Sequence, residues 1–560
     1  MTTKKHDYDY IVIGSGFGGS VSAMRLAQKG YRVAVIESGK KWEDEDHADK
    51  NWNIRKFLWM PRIGLYGIQR INLLHNVLIL SGAGVGGGSL NYANTLYIPS
   101  DEIFKKPSMK RLGGKAVLLP YYNLAQKMLG AVVNPKLTPQ DYLLKETAAE
   151  YGRGDTFKPT TVGVYFGEEG VDAKDPYFKG EGPDRTGCTL CGACMTGCKK
   201  NAKNTLNKNY LYFARKLGAE IIPENKVVDI MPLSEDGDAG YQVKTSRTTK
   251  FFGSMRGKTF RTKGVVFSAG TLGTLSLLLK LKQTNRLPGL PDTIGRKVRT
   301  NSEVILGARS RSRDVDFSKG VAITSSVYPD DKTHIEPVRY ARGNDLMGFL
   351  NVLLTDGGGR IPRQLRYLFN ILRHPLDFLR TLNPIGWAYQ SIILLVMQTH
   401  DNHINVLRKL RLIWPFTKSL TSKQASIEKN PVYIPLANDF GRRLAKRING
   451  IPGGTITEVY MNAPLTAHIM GGCAIGGTPD DGVIDEQNRI KGYKNMLIND
   501  GSQIPENLGV NPALSITALA ERAMSFVPVK NGSKFKYLKA EKLWGVTGLL
   551  NQKIAHKRTK

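Results

Sequence analysis

A glycine turn near the start of the chain has the residue types and the spacing that bind the phosphates of a dinucleotide. Gly14, Gly16 and Gly19 lie at G-x-G-x-x-G spacing. The first glycine allows a tight turn, the second lets a pyrophosphate approach the backbone, and the third lets a helix pack closely on a strand. We therefore predict that this turn, together with its members Phe17 and Gly18, binds a dinucleotide cofactor.

A second glycine-dense segment, residues 82–91, repeats the G-x-G-x-x-G spacing, but no β-α-β unit ending in an acid follows it. It is therefore not expected to form a separate nucleotide fold. Glycine in such numbers lets the backbone approach a flat ring or a diphosphate closely. The candidate cofactor contacts in and after this segment are Gly84, Gly86, Gly87, Ser89, Asn91 and Asn94.

Four of the five cysteines fall in one short run with the spacing C-x2-C-x2-C-x3-C. This spacing matches the ferredoxin-type run that ligates iron–sulfur clusters, although Lys199 replaces the usual proline and no second run exists to complete a two-cluster arrangement. Zinc and reduced thiols that pack as small apolar groups are the alternatives, with a cluster favoured over zinc. The candidate metal ligands are Cys188, Cys191, Cys194 and Cys198.

The elements around the first glycine turn are those that a dinucleotide site needs. Residues 11–13 form an apolar run typical of a buried parallel strand, a helix is predicted from Ser20 to about Gln28, and a second strand over residues 31–36. Glu37 follows that strand and is placed to accept hydrogen bonds from both ribose hydroxyls. An acid here argues against NADP and leaves FAD and NAD open. The alternative is a turn that only packs a helix on a sheet.

The length and charge of the chain limit the number of domains and the kinds of partner that can be expected. A chain of 560 residues exceeds one hydrophobic core, so more than one domain is expected. The formal net charge of +32 favours a polyanionic surface as partner, against the alternative of a charge that only aids solubility. The first strand begins close to Met1, so no signal peptide is predicted, and the longest apolar run, residues 392–397, is too short for a bilayer. We expect a cytoplasmic protein.

Residues 360–382 predict a basic amphipathic segment, broken at Pro375, of the kind that lies on an anionic membrane. A solvated helix over the core is the alternative. No nucleic-acid motif accompanies these cations, so no nucleic-acid partner is expected. The arginines are Arg360, Arg363, Arg366, Arg373 and Arg380, interleaved with Leu365, Leu368, Phe369, Leu372, Phe378 and Leu379.

The opening turn and residues 84–94 (Gly-Val-Gly-Gly-Gly-Ser-Leu-Asn-Tyr-Ala-Asn) together resemble the glucose–methanol–choline (GMC) family of FAD oxidoreductases. Within that family the likeness is to the bacterial cholesterol oxidases, and it extends through residues 56–59, 66–71 and 321–326 to the carboxyl-terminal motifs. The resemblance implies FAD as the cofactor. It implies that the first glycine turn holds the pyrophosphate, that Glu37 holds the adenosine ribose, and that the second segment lies near the isoalloxazine.

The carboxyl-terminal motifs carry the chemistry that the resemblance implies. His468 stands before a glycine pair and is expected near the substrate hydroxyl, where an imidazole can exchange a proton with it. Asn511 is expected to orient the substrate or the flavin. Asp500, Gly501 and Pro512 complete the expected flavin site, in which a helix beginning near Pro512 stabilises negative charge on the reduced flavin.

The resemblance assigns roles to further residues. The backbone near Val228 is expected to meet the adenine, and Ala269 and Gly270 lie in a unit that resembles the second GMC signature, with Thr274 where proline is common. A plain β–α turn is the alternative for that unit. Glu336 is expected to move a proton when a steroid double bond isomerises, and an ion-paired glutamate is the alternative.

The predicted fold class is α/β, with a discontinuous Rossmann-type FAD-binding domain and an inserted α+β substrate domain built on an antiparallel sheet. We assign residues 1–100, 200–300 and 460–530 to the FAD-binding domain and 301–459 to the substrate domain. Residues 101–199 connect the two and carry the cysteine run, and residues 531–560 form a basic tail.

The expected activity is FAD-dependent oxidation of a 3β-hydroxysteroid to the ketone by hydride transfer, with or without double-bond isomerisation. The partners are then a sterol, dioxygen or an electron carrier, and an anionic membrane at the inner face. One alternative is a dehydrogenase of another hydrophobic alcohol that passes electrons out through an iron–sulfur site. Others are a basic binding protein whose flavin site has decayed and an NAD enzyme.

Overall fold

The computed structural model of the chain describes residues 6–249, 256–410, 418–478 and 480–551. Along these residues one sheet has seven strands, and it is parallel except where Tyr241–Arg247 pairs antiparallel with both its neighbours. Met496–Ile498 pairs with the end of Arg256–Phe267, beside the main path of the sheet. Along that path the strands are Glu220–Ile222, Val33–Ile36, Tyr8–Ile13, Arg256–Phe267, Tyr241–Arg247 and Asn225–Pro232.

Both faces of this first sheet are covered, as the apolar run at its centre predicts. Val12 packs in one core with the helix Phe17–Gln28, whereas Ile11 and Ile13 pack in another with the helix Gly270–Gln283. Strands from distant parts of the chain meet here, which confirms a discontinuous α/β fold of the predicted class.

The first helix and the second strand differ slightly from their predicted bounds. The helix begins at Phe17 rather than Ser20, because the carbonyl of Gly16 accepts the first helical hydrogen bond, from the backbone of Ser20 at 2.8 Å. The strand begins at Val33, later than predicted, after Gly30 turns the chain with φ of +86°.

A second sheet is antiparallel throughout, which confirms the predicted antiparallel sheet. One of its faces packs against the helices Pro139–Ala149 and Pro435–Arg447. The opposite face packs against Ala93 and Met195, which belong to the segments that follow the second glycine run and carry the cysteines. In spatial order the strands are Thr333–Val338, Ser391–Gln398, Val304–Ser310, Gly450–Thr455 and Asn351–Leu353.

The remaining elements connect and cover these sheets. No helix among the residues that the structure describes is long and apolar enough to cross a bilayer. The other helices are Ile54–Phe57, Asp101–Lys105, Pro107–Arg111, Gly114–Met128, Tyr210–Lys216, Arg363–Arg373, Pro375–Leu382, Trp387–Gln390, Ile456–Met461, Ala513–Ser525, Lys539–Leu543 and Thr547–Leu550. The other strands are Trp59–Met60, Leu65–Tyr66, Gln69–Leu73, Leu78–Gly82, Val132–Val133, Lys158–Pro159, Thr161–Val162, Asp172–Ala173, Arg185–Thr186, Arg296–Arg299, Ser325–Ser326, Ile404–Leu410, Lys418–Gln424, Leu465–Thr466 and Met470–Gly472.

A buried ion-pair network ties the first helix to the last helices. The guanidinium of Arg25 donates to both carboxylate oxygens of Glu521, at 2.6 and 2.7 Å, and also pairs with Glu541. Gln28 donates to Glu541 at 2.8 Å, and all four side chains are buried. Part of the segment assigned to a basic tail, residues 538–550, thus packs on the first core, while residues 552–560 lie outside the described residues.

Replacing Glu541 with alanine is expected to lower the free energy of unfolding by about 3 kcal/mol, because it leaves a buried guanidinium with a lost partner. The exposed Glu235 gives a matched control, and Glu235→Ala should change the value by less than about 0.5 kcal/mol. Urea unfolding followed by tryptophan fluorescence measures both. Equal midpoints for the two variants would show that the network does not hold the last helices.

Candidate active site

The first glycine turn has the geometry that a pyrophosphate site requires. A Cβ atom at Gly14, whose φ is +98°, would lie 2.3 Å from the carbonyl oxygen of Ser268, and one at Gly19 would lie 2.1 Å from the carbonyl oxygen of Gly14. At Gly16, by contrast, a Cβ would meet nothing within 4 Å. The outer two glycines therefore permit close packing, and the middle one leaves its backbone open to a ligand.

The two glycine segments form one continuous cradle. A Cβ at Gly87 would lie 2.7 Å from Cα of Gly16, so the two backbones are in direct contact. The hydroxyl of Ser15 joins them further, since it donates to Glu37 at 2.7 Å and accepts from the backbone of Gly86 at 3.0 Å. Glu37 is buried beside the first turn, and its contact with a ribose stays a prediction.

Several predicted cofactor residues use their side chains to hold the cradle. Ser89 donates to the carbonyl of Gly86 at 2.7 Å, and Asn91 donates to Gln69 at 2.8 Å. Asn94 is buried with φ of +70°, and Phe17 packs edge-on against the ring of Tyr92. The backbone of the second segment has positive φ at Gly84, Gly86 and Gly87, and its contact with a flavin ring stays a prediction.

The third glycine turn, Ala269–Gly270, is joined to Asp500. Thr274, which stands where the GMC signature commonly has proline, donates to Asp500 at 2.5 Å. Burial raises the pKa of Asp500, although hydrogen bonds, including one from the backbone of Ser502 at 2.9 Å, oppose this effect. The turn and Asp500 therefore form one polar unit.

Three other predicted positions lie on nearby elements. The carbonyl of Val228 accepts from Lys280 at 2.6 Å, beside an irregularity in the pairing of its strand. Gly501 allows close packing, because a Cβ there would lie 2.8 Å from the hydroxyl of Thr271. Pro512 directly precedes the helix Ala513–Ser525 and so marks its positive end, and the contact of this end with a flavin stays a prediction.

His468, Asn511 and Glu336 come together although they are far apart in the sequence. Nδ2 of Asn511 lies 3.3 Å from Nε2 of His468 and 3.2 Å from Oε2 of Glu336, so one amide group contacts both side chains. All three residues are buried. Oδ1 of Asn511 has no hydrogen-bond partner among the described residues, which leaves it available to a ligand.

Glu303, which sequence reasoning missed, lies on the other side of the His468 ring. Its Oε2 is 2.7 Å from Nδ1 of His468, and its carboxylate also accepts from Thr466 at 2.9 Å and from the backbone of Ala467 at 3.0 Å. Nδ1 makes no hydrogen bond among the described residues, so this buried carboxylate acts on the ring through its nearby charge. The only signal was an acid directly before the apolar strand Val304–Ser310.

Glu336 lies in surroundings that favour its neutral form. Burial raises the pKa of Glu336 to about 8, and the charge of Glu303 adds to this effect. Hydrogen bonding to Asn511 and Tyr97 opposes it. Near neutral pH this carboxyl group is therefore mainly protonated, and it becomes a base as the pH rises through about 8.

The wall beside Glu336 is aromatic and was also not predicted. His334 stacks on Tyr328 with ring centroids 4.5 Å apart and meets Tyr97 edge-on at 5.2 Å. Burial lowers the pKa of His334 to about 3, so this imidazole is neutral, and its Nδ1 lies 3.1 Å from the carbonyl oxygen of Gly509. These rings keep water from the carboxyl group.

Backbone contacts connect the His468 cluster to the cradle. The hydroxyl of Thr271, in the third glycine turn, donates to the carbonyl of Ile469 at 2.9 Å. The strand Leu465–Thr466 pairs with Leu78–Gly82, which runs directly into the second glycine segment. His468 is therefore held between two of the glycine segments that line the cofactor site.

The alternation of side chains along the strand Thr333–Val338 determines which face of the second sheet carries Glu336. Its neighbour Ile335 belongs to the core under the helices, whereas Val338 belongs to the face that packs on Ala93. Because alternate residues of a strand share a face, Glu336 lies on the side of Val338. The second sheet thus presents Glu336 toward the segment that follows the second glycine run.

The four clustered cysteines line one small cavity, and all are unpaired. No group of three or more His, Cys, Asp or Glu side chains in the described part of the chain is arranged to hold a metal ion. Burial raises the pKa of Cys188 to about 12, and the cluster packs among apolar side chains such as Val162 and Val164. The assignment of Cys188, Cys191, Cys194 and Cys198 as ligands stays a prediction.

Lys203 fastens the cysteine segment to the second glycine segment. Its buried ammonium donates to the carbonyl oxygens of Leu90 at 3.0 Å, Tyr92 at 2.8 Å and Cys194 at 2.7 Å. Burial lowers the pKa of Lys203 to about 8. The cysteine run therefore lies directly behind the loop that is expected to face the flavin.

Comparison with known proteins agrees with this geometry. The family models "GMC oxidoreductase" and "FAD binding domain" match residues 428–520 and 9–44. A cholesterol oxidase of Acinetobacter baumannii is 49% identical over 95% of this chain and 96% of its own length, and one of Mycobacterium tuberculosis (strain CDC 1551 / Oshkosh) is 48% identical over 94% and 92%. The crystal structure of pyridoxine 4-oxidase from Mesorbium loti has the same fold, with a TM-score of 0.58 and 15% identity over 91% of this chain and 97% of that one.

The family match at the carboxyl end covers His468, Asp500 and Asn511, and the FAD match covers the first glycine turn and Glu37. The open backbone at Gly16 and the contact of Gly87 with it fit the bound cofactor. The chain therefore belongs to the GMC oxidoreductase family and is a FAD-dependent alcohol oxidoreductase.

Proposed function

We propose that this enzyme oxidises the 3β-hydroxyl group of a cholesterol-like sterol to the ketone. The observation that carries the proposal is the buried contact of Asn511 with both His468 and Glu336, because it places a base, an orienting amide and a second acid–base group in one site. Two relatives that share almost half of their residues with the chain over nearly its full length are named cholesterol oxidases.

His468 is the proposed base for the hydroxyl proton. FAD, when bound, accepts the hydride that leaves the alcohol carbon. Glu303 lies 2.7 Å from Nδ1, and its negative charge stabilises the positive charge that the ring acquires with the proton, while Nε2 lies beside Asn511. Loss of the proton and loss of the hydride together convert the alcohol to the ketone.

Asn511 is the proposed orienting residue. Its Nδ2 contacts His468 and Glu336, and its unpartnered Oδ1 can accept a hydrogen bond. An amide held in this way fixes the angle at which the hydroxyl meets the imidazole, and such positioning contributes a large share of many rate enhancements.

Glu336 is the proposed base of a double-bond isomerisation that follows oxidation. In its ionised form the carboxylate removes a proton between the new carbonyl and the neighbouring double bond, and it then returns that proton at the far end of the double bond. The aromatic wall of Tyr97, Tyr328 and His334 keeps the proton from exchanging with water during the transfer.

Dioxygen is the proposed electron acceptor, and the cytoplasmic face of the membrane is the proposed place of action. The five unpaired cysteines fit a reducing compartment. An exit for electrons through the cysteine segment is the competing proposal, and it is favoured by the Lys203 contacts that hold this segment behind the loop. Hydrogen peroxide formed in step with the ketone would decide for dioxygen.

Replacing His468 with alanine is expected to slow the reduction of bound flavin by cholesterol by about a hundredfold to ten-thousandfold, because the hydroxyl loses its base. FAD should stay bound, since the cradle is formed by other residues. Stopped-flow absorbance of the flavin bands measures the rate, and the exposed His75 provides the control variant His75→Ala. Loss of FAD from His468→Ala would assign the residue a structural role instead.

Isomerisation is expected to speed up as the pH rises through about 8, because only the ionised form of Glu336 can remove the proton. Oxidation measured as peroxide and isomerisation measured as the absorbance of the conjugated ketone can be followed in one sample. Glu336→Gln should release the unconjugated ketone and retain most of the oxidation rate. Conjugated ketone formed at the wild-type rate by this variant would refute the proposed role.

A further inference from the structure

Two consecutive helices, Arg363–Arg373 and Pro375–Leu382, expose an apolar outer face. Nine large apolar side chains on and beside these helices are each between 50% and 72% exposed. So many exposed large apolar side chains on two consecutive helices are uncommon on a protein that only meets water, and they indicate an interaction site. The nine residues, called here the docking face, are Ile361, Leu365, Leu368, Phe369, Leu372, Leu376, Leu379, Leu382 and Ile385.

The helices are fixed by their opposite side. Tyr367, Ile371 and Phe378 pack in a small core under the edge of the second sheet. The guanidinium of Arg363 is buried and lies 3.4 Å from the carboxylate of Glu458. The helices therefore do cover a core, but their outer face lacks the polar side chains of a solvated helix.

Cations surround the docking face. Arg360, Arg373 and Arg380 are exposed beside it. The acid Asp377 pairs with Arg311 at 2.6 Å and with Arg380 at 3.5 Å. The chain as a whole carries 80 basic and 48 acidic residues. An apolar helical face beside arginines matches the boundary of an anionic bilayer, where apolar side chains enter the acyl region and cations meet the headgroups.

We propose that the docking face inserts into the surface of a bilayer that contains anionic lipid. A second copy of the chain is a poorer occupant, because pairing two such faces would bring like charges together. This proposal depends on the proposed function only for the reason that docking is useful. A sterol dissolves in lipid, and an enzyme held at the bilayer meets its substrate there.

The test measures binding of the full-length FAD-loaded enzyme to vesicles by sedimentation. Vesicles of phosphatidylcholine and phosphatidylglycerol in equal amounts are compared with vesicles of phosphatidylcholine alone. The double variant Leu372→Glu/Leu376→Glu changes two side chains that are each 70% exposed, so it should fold normally. Its affinity for the anionic vesicles should fall by at least about tenfold, because two leucines that would enter the bilayer are lost and two negative charges are added.

The control variant is Ile427→Glu, which changes a still more exposed apolar residue outside these helices and should bind vesicles as the wild type does. Equal binding of the double variant and the control would overturn the proposal, as would a wild-type enzyme that does not bind anionic vesicles. Sedimentation equilibrium provides another arm, since a dimer that the double variant dissociates would assign the face to a second copy.

Activity separates this proposal from the proposed function. With sterol in detergent micelles the double variant should oxidise at the wild-type rate, whereas with sterol in anionic vesicles it should be slower by about tenfold. Vesicle binding without any steroid oxidation would support the docking face and refute the proposed substrate. If the wild type and the double variant each oxidised sterol equally fast from vesicles and from micelles, the proposed docking face would be refuted.

Discussion

The contact between two glycine backbones, at Gly16 and Gly87, is the constraint on which the site depends. A side chain at Gly87 would push the second glycine segment away from the first turn. The strand Leu78–Gly82 continues directly into that segment and carries Leu465–Thr466 beside it, so the position of His468 follows from the same contact. The cofactor cradle and the base are therefore placed by one piece of backbone packing.

Much of the cofactor site was predictable because its signals are local. The G-x-G-x-x-G turn, the apolar strand before it and Glu37 after the second strand lie within a short stretch, and each has a separate physical reason. The antiparallel second sheet and the roles of His468 and Asn511 came from the resemblance. Spacing alone gave no reason to join residues so far apart.

Glu303 and the aromatic wall show what the sequence does not encode locally. Glu303 reaches His468 because the first residue before one strand packs against a loop that follows another, far along the chain. Likewise, nothing in the local sequence indicates that His334 is buried between Tyr97 and Tyr328, where burial keeps its imidazole neutral. Such roles depend on tertiary packing, which residue type and spacing do not specify.

The Arg25 network has a consequence for how the chain is made. Arg25 leaves the ribosome 496 residues before Glu521 and 516 residues before Glu541. Until then the first helix cannot bury its guanidinium without leaving it unpaired, so the amino-terminal β-α-β unit has no stable final position. The helix Phe17–Gln28 thus completes its packing only after the distant helices that carry Glu521 and Glu541 have been synthesised.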